Sequence, residues 1–340
     1  MRRFTTNALL ALLILALSMG CAFAAKTPPK KPTSSTHHET LGTQQLKGEF
    51  GKIGDTYTLG KSNPWNVKLS SAEYTVASLR VGDGLKFPNM DEKFLVLHFT
   101  VHNPQKGLAL MRFDTFRITA VDSSSKNWEG THTLNLESTK EAVSQNIKPA
   151  QKIDVYKVVV VPAAGEIPKI IVTGSDNLVI RYDLLGKVKP LPEPFADPND
   201  KTGATALAVV PAKIGVTYDA GCFTVSVDGI SYSEGPINGK NAGPGGRFLV
   251  LNMTAKNINT FPLPFRFDTF RFKGADMDGA DLDWGRNILR ASSDKTLSMT
   301  CEIGQEIKFR TYYIVEKGVT PMYVRVAGGA NPRVFQYTVE

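Results

Sequence analysis

Between Phe94 and His102 the chain changes character at every second residue. Leu95, Leu97, Phe99 and Val101 alternate with Val96, His98, Thr100 and His102. A period of two is the strand period, with one buried and one wetter face. The same alternation recurs where Leu249, Leu251, Met253 and Ala255 interleave with Val250, Asn252, Thr254 and Lys256. Both segments keep the first row apolar while the second turns polar, so the first row is expected to face the core. Later segments, Lys152 to Val161 and Glu306 to Val315, are rich in β-branched and aromatic residues. Asn-Pro, Gly-Pro and Asp-Gly steps punctuate short strands, and no window carries a sustained helical period with caps. The pattern predicts an all-β fold.

The two alternating segments are copies. A step of 154 residues carries Phe94–Leu97 onto Phe248–Leu251, Thr100 onto Thr254, Asn103 onto Asn257, and Gln151 and Ile153 onto Gln305 and Ile307. The same step carries the hexapeptide RFDTFR at Arg112–Arg117 onto Arg266–Arg271. One offset held across roughly sixty residues marks an internal duplication. Lys52-Ile53-Gly54 matches Lys213-Ile214-Gly215 at an offset of 161, so the early loops differ in length. Each copy must close its own core, which predicts two tandem antiparallel β-sandwiches.

The organisation follows. Residues 1–24 read as a secretory signal, with Arg2 and Arg3, an apolar Leu9–Leu17 and a small-x-small Ala22-Phe23-Ala24 site. That apolar run is short of the roughly 20 residues needed to span a bilayer, and no later segment could do so. Lipidation at Cys21 is the competing reading, although Ser18 stands where a lipoprotein signal usually has Leu. Residues 25–47, rich in Lys, Pro, Ser and Thr, are expected to be a disordered tether. Residues 48–186 form the first copy and 205–340 the second. The intervening 187–204, with Pro190, Pro192, Pro194 and Pro198, is expected to be an extended, semi-rigid spacer.

Strand motifs then suggest a family. The sequences FLVLHFTVHN and FLVLNMTAKN, the Phe-x-Ile/Phe strand after RFDT, and the Gln-x-Ile stretch before a long strand resemble bacterial secreted immunoglobulin-like domains of unknown function. These are similar in fold to the mycobacterial immunoprotective extracellular protein and to telokin. The family usually has Pro-Gly before the late strand; Pro149-Ala150 and Ile303-Gly304 each keep half. The resemblance implies immunoglobulin-like sandwiches in an envelope or extracellular setting, and no activity.

Candidate chemistry is sparse. In RFDTFR, Asp114 and Asp268 are flanked by arginines at a strand entry, where an ion pair or turn hydrogen bond could fix the loop. An Arg/Asp ligand site is the sharper alternative. Asp276, Asp278, Asp281 and Asp283 around Gly279 form an oxygen-rich loop that could hold a cation, but lack EF-hand spacing; a hairpin turn with solvated carboxylates is the simpler reading. His98 and His102 stand on one face, roughly 13 Å apart along a strand, too far to share a metal. No Ser/His/Asp or Cys/His grouping, phosphate loop or nucleic-acid motif can be proposed, and no cofactor is called for. Cys222 and Cys301, the only cysteines beyond the signal, lie in the second copy, opposite Pro64 and Ile147 of the first. Export and an immunoglobulin-like pairing of strands Phe223–Tyr232 and Leu297–Ile303 predict a disulfide between them; two buried small hydrophobes is the alternative. Loss of Arg2 and Arg3 with the signal takes the formal charge from +8 to +6, spread along the chain. The expected function is non-catalytic interaction or scaffolding at the cell envelope, with a protein or polysaccharide partner. A carbohydrate- or cation-binding module is the alternative.

Overall fold

The computed structural model describes residues 49–329 and 333–339, with side chains from Gly51 onward, all within one compact unit. The signal, Cys21 and the tether lie outside the described residues. The described regular structure is all strand, forming β-sandwich layers around two separate principal cores.

In the first half, one sheet runs in the order Thr56–Leu59, Trp65–Thr75, Glu92–His102, Lys152–Pro162, Asn135–Leu136. The facing sheet runs Glu49–Gly51, Val179–Asp183, Lys169–Gly174, Phe116–Val121, Asn127–Glu129. Its first pair is parallel and the rest are antiparallel. The second half repeats the plan. Tyr218–Asp219, Phe223–Ser233, Arg247–Asn257, Glu306–Val315 and Asp283–Trp284 make one sheet. Val209–Pro211, Val334–Thr338, Pro321–Gly328 and Phe270–Asp276 make the other, again beginning with a parallel pair. Each half adds a ribbon, Ala109–Arg112 with Ser144–Ile147 and Leu263–Phe265 with Met299–Cys301.

The alternating rows face inward as expected: Leu95, Leu97, Phe99 and Val101 join the first core, and Leu249, Leu251, Met253 and Ala255 the second. The opposite row is less wet than its sequence suggests. Phe94, Val96, Tyr156 and Val158 gather with Val81 in a small outer cluster, and Phe248, Val250, Ile237, Leu289 and Tyr312 do the same in the second half. Val81 in the first half, and Ile237 with Leu289 in the second, join these clusters, so the Phe-Leu-Val-Leu run is buried on both faces.

The proline segment bonds to and packs against the strands of both halves. Tyr74 N–H donates to Lys189 O (3.0 Å) and Lys189 N–H to Ala72 O (2.9 Å). Leu191 and Ala204 are buried in the first core, and Phe195 packs against both cores. Leucine, phenylalanine and alanine between the prolines supply apolar surface, and the non-proline N–H groups remain free to pair. Polar groups close the junction: Ser78 donates its N–H and Oγ to Asp219 (both 2.7 Å). The fully buried Arg333 donates to Leu207 O, Glu92 O (2.9 Å) and Asn89 O (3.4 Å).

Cys222 and Cys301 are free thiols, which corrects the expected disulfide. The pairing behind that expectation does not form. The strand carrying Cys301 pairs with Leu263–Phe265, whereas Phe223–Ser233 pairs with Tyr218–Asp219 and Arg247–Asn257. Cys222 Sγ accepts from Asn259 Nδ2 (3.6 Å), and Cys301 Sγ points at the carbonyls of Gln305 (3.5 Å) and Glu302 (3.9 Å).

Candidate functional site

The repeated hexapeptide builds the same turn twice. Arg112 N–H donates to Thr115 Oγ1 (2.9 Å) and Thr115 N–H to Arg112 O (3.1 Å). Arg266 and Thr269 repeat both bonds at 2.9 Å. The aspartates pair with the leading arginines, Arg266 Nε to Asp268 Oδ1 at 2.7 Å and Arg112 Nε to Asp114 Oδ1 at a looser 3.6 Å. Phe116 and Phe270 then enter the cores. Threonine, aspartate, the first arginine and the second phenylalanine therefore have local structural work, as the turn reading anticipates.

The first phenylalanine stays out of both principal cores. Phe113 is 38% exposed and Phe267 50% exposed. Leu108, Leu110, Phe261 and Ile303 are further exposed apolar side chains, each more than half exposed. In Ala109–Arg112 the inward places go to Ala109 and Met111, which turns Leu110 outward. The Arg112 guanidinium lies 5.6 Å from the Phe113 ring centroid, so cation and ring form one tip. Sequence reading weighed only the Arg/Asp pair; the available signal was a phenylalanine repeated next to a turn where no core position needs it.

Beside the first tip is a groove of about 370 Å³, lined by Asn63, Trp65, Gln105, Leu108, Leu110 and Arg112 among others. Asp176 pins its Asn63 wall by accepting the N–H groups of Lys61 and Ser62, which hold its carboxyl below the usual range. Amides, hydroxyls, one guanidinium and apolar side chains can grip a polar ligand with an apolar face.

A second concavity of about 260 Å³ centres on His98. Its Nδ1 meets Glu137, and its Nε2 lies 3.6 Å from Glu73. Lys140 pairs with Glu137 (2.7 Å) and Lys189 with Glu73 (3.5 Å). Burial alone would raise the Glu137 carboxyl, but hydrogen bonds from Lys140 and His98 hold it below its ordinary value. Burial pushes Tyr156 up to about 12, and its hydroxyl donates to Arg80 O (2.6 Å). Every carboxylate here is matched by a cation, so this network ties strand edges together. His102 is elsewhere, against Asn66 (3.1 Å).

The acidic loop is a hairpin turn. Asp276 Oδ1 accepts the N–H groups of Asp278 (3.0 Å) and Ala280 (2.8 Å), and Asp281 pairs with Lys273 (3.1 Å). Asp283 starts the short strand against Glu306–Val315. In the first half Asp122 Oδ1 accepts the N–H groups of Ser124 and Lys126, both at 2.9 Å, so one carboxylate suffices to make the turn. Among the described residues no group of three or more His, Cys, Asp or Glu is arranged to hold a metal ion.

No protein-family profile matches the chain, and no curated protein matches it. Among solved structures it is similar to an uncharacterized β-sandwich protein of Clostridium difficile 630, at 13% identity and a TM-score of 0.33, covering 42% of this chain and 98% of that one. It is also similar to a candidate lipoprotein of Bacillus subtilis subsp. subtilis str. 168, at 14% identity and a TM-score of 0.28, covering 36% of this chain and 38% of that one. Among the described residues no helix is long and apolar enough to cross a membrane.

Proposed function

We propose that the protein is a secreted, non-catalytic interaction or scaffolding protein of the bacterial cell envelope. It carries two tandem immunoglobulin-like domains, 48–186 and 205–340, behind a signal and a tether. The strand order supports the immunoglobulin-like reading. Trp65–Thr75, Glu92–His102, Lys152–Pro162 and Asn135–Leu136 lie in the order A, B, E, D of that fold, and Val179–Asp183, Lys169–Gly174 and Phe116–Val121 in the order G, F, C. The observation that carries the function is the pair of exposed phenylalanines, Phe113 and Phe267. Exposing an aromatic ring is unfavourable, and the duplication preserves it at the same turn in both halves. Two like tips on one chain also allow avidity from weak individual contacts.

The test is retention of the exported protein on isolated envelope. Wild type is expected to sediment with the envelope fraction, and the double variant Phe113→Ser/Phe267→Ser to stay soluble while melting at the wild-type temperature. Equal retention of both proteins would overturn the assignment of the tips. A carbohydrate ligand is the second reading, favoured by the amide-lined groove against the first tip. Release by soluble envelope oligosaccharides would select it, and indifference to them would select a protein partner.

A further inference from the structure

The outer face of the second half's four-stranded sheet carries an arrangement that folding alone disfavours. Strands Phe270–Asp276 and Pro321–Gly328 are antiparallel, and their register sets Lys273 directly opposite Arg325. Directly opposed residues share a face with Cβ atoms about 5 Å apart, and like charges so placed destabilise a sheet. The first half does without them: the corresponding pair, Thr119 opposite Ile171, is uncharged. The two cations are therefore dispensable to the architecture.

Their surroundings hold the charge ready for a ligand. The Arg325 guanidinium lies 4.4 Å from the Tyr323 ring centroid, and its Nε donates to Gln336 Oε1 at 2.9 Å. Ring and amide fix the plane of the fork through one edge, which leaves the geometry that grips a carboxylate or phosphate with two parallel bonds. Lys273 adds a point charge and is itself anchored at 3.1 Å by Asp281. Arg271 projects from the same face two residues before Lys273, opposite the buried Ala327. Successive charges on a strand face are about 7 Å apart. A row of cations at that repeat suits a polymer with regularly spaced anionic groups.

We infer that this face binds an oxyanion, phosphate or carboxylate, borne on a linear envelope glycopolymer, with Arg325 as the fork and Lys273 as the second cation. The inference uses the envelope reading only for the source of the polymer and is independent of the phenylalanine tips.

The test is binding of the full mature chain to polyphosphate, polygalacturonate, polyglutamate and neutral dextran at low salt. At least one of the first two should bind tenfold or more tightly than dextran, with affinity falling as salt rises. Arg325→Gln and Lys273→Gln should each weaken binding about tenfold while keeping a cooperative melt close to wild type, because relief of the opposed charges offsets the loss of the Asp281 pair or of the Tyr323 and Gln336 contacts. Arg325→Lys, which keeps the charge and loses the fork, should bind more weakly than wild type. Arg117→Gln, the same change of net charge on the first half, should stay within twofold. Absence of binding, an equal loss in Arg117→Gln, or tighter binding of polyglutamate than of both other polyanions would overturn the proposal.

Discussion

Asn103 and Asn257 make the same hydrogen bonds in the two halves. Asn103 Nδ2 donates to Gly107 O (3.0 Å) and Ile147 O (2.8 Å); Asn257 Nδ2 donates to Phe261 O (3.1 Å) and Cys301 O (2.9 Å). Their Oδ1 atoms accept the N–H of Gln105 and of Asn259, both at 2.9 Å. Both residues are fully buried. Each amide thus joins the end of a long strand to the ribbon beside it.

Asn103→Ala and Asn257→Ala should therefore each cost about 2 to 4 kcal/mol, since two buried carbonyls lose their donor. Urea denaturation of each variant checks this. The effects should be nearly additive, because the two corners sit in separate cores. A loss below about 1 kcal/mol in either variant would mean that water enters and replaces the amide.

Alkaline pH should stabilise the protein before it destabilises it. Lys93 is fully buried, donating to the carbonyls of Ala163 (3.1 Å), Gly165 and Ala204 beneath the Tyr74 ring. Burial pushes Lys93 down to about 8, against Asp200 and Glu166, and pushes Lys157 down to about 8 as well. Between about pH 8 and the ordinary lysine value of 10.5 the folded chain binds fewer protons than the unfolded one, so stability rises with pH. Burial also pushes Tyr74 and Tyr156 up to about 12 from 10.0, so above pH 10 the unfolded chain loses tyrosine protons first and stability falls. Thermal melts across pH 7 to 11 should show the rise, and Lys93→Met should reduce it. A flat profile would contradict the buried, charged lysine.

The proline segment should resist native proteolysis. Asp200 accepts the N–H groups of Thr202 (2.9 Å) and Thr205 (2.8 Å) and the Thr202 hydroxyl (2.6 Å), which hold its carboxyl far below the usual range. Trypsin sites at Lys187 and Lys201 should stay uncut in wild type and open in Asp200→Ala. Rapid splitting of wild type into two stable fragments would contradict this anchoring.

The two thiols should be present but slow to react. Cys301 is fully buried, and burial raises both thiols above their ordinary values, with Asp219 adding to the rise at Cys222. Thiol titration should find both after unfolding and at most slow reaction of Cys222 before it. Finding neither after unfolding without reductant would reinstate the bond.

Much of this was legible in residue order. The alternation at Leu95–Val101 and Leu249–Ala255 marks the inward face of the long strands, because a pleat sends neighbouring side chains to opposite sides. The 154-residue step locates the equivalent turns at Arg112 and Arg266, because identical local sequence satisfies the same Thr and Asp hydrogen bonds in both halves. These are local rules with local partners. Contacts between segments far apart in the chain lay beyond such reading. Whether Cys301 meets Cys222 depends on strand pairing, and Met299–Cys301 takes Leu263–Phe265 as its neighbour. Whether Phe113 is core or surface depends on which neighbours take the core places, and Met111 and Phe116 do. The facing of Lys273 and Arg325, 52 positions apart in the chain, depends on strand register, which neither residue encodes by itself. Period and turn chemistry act within a few residues and can be read in order; exposure, register and charge opposition arise only when distant strands share one sheet.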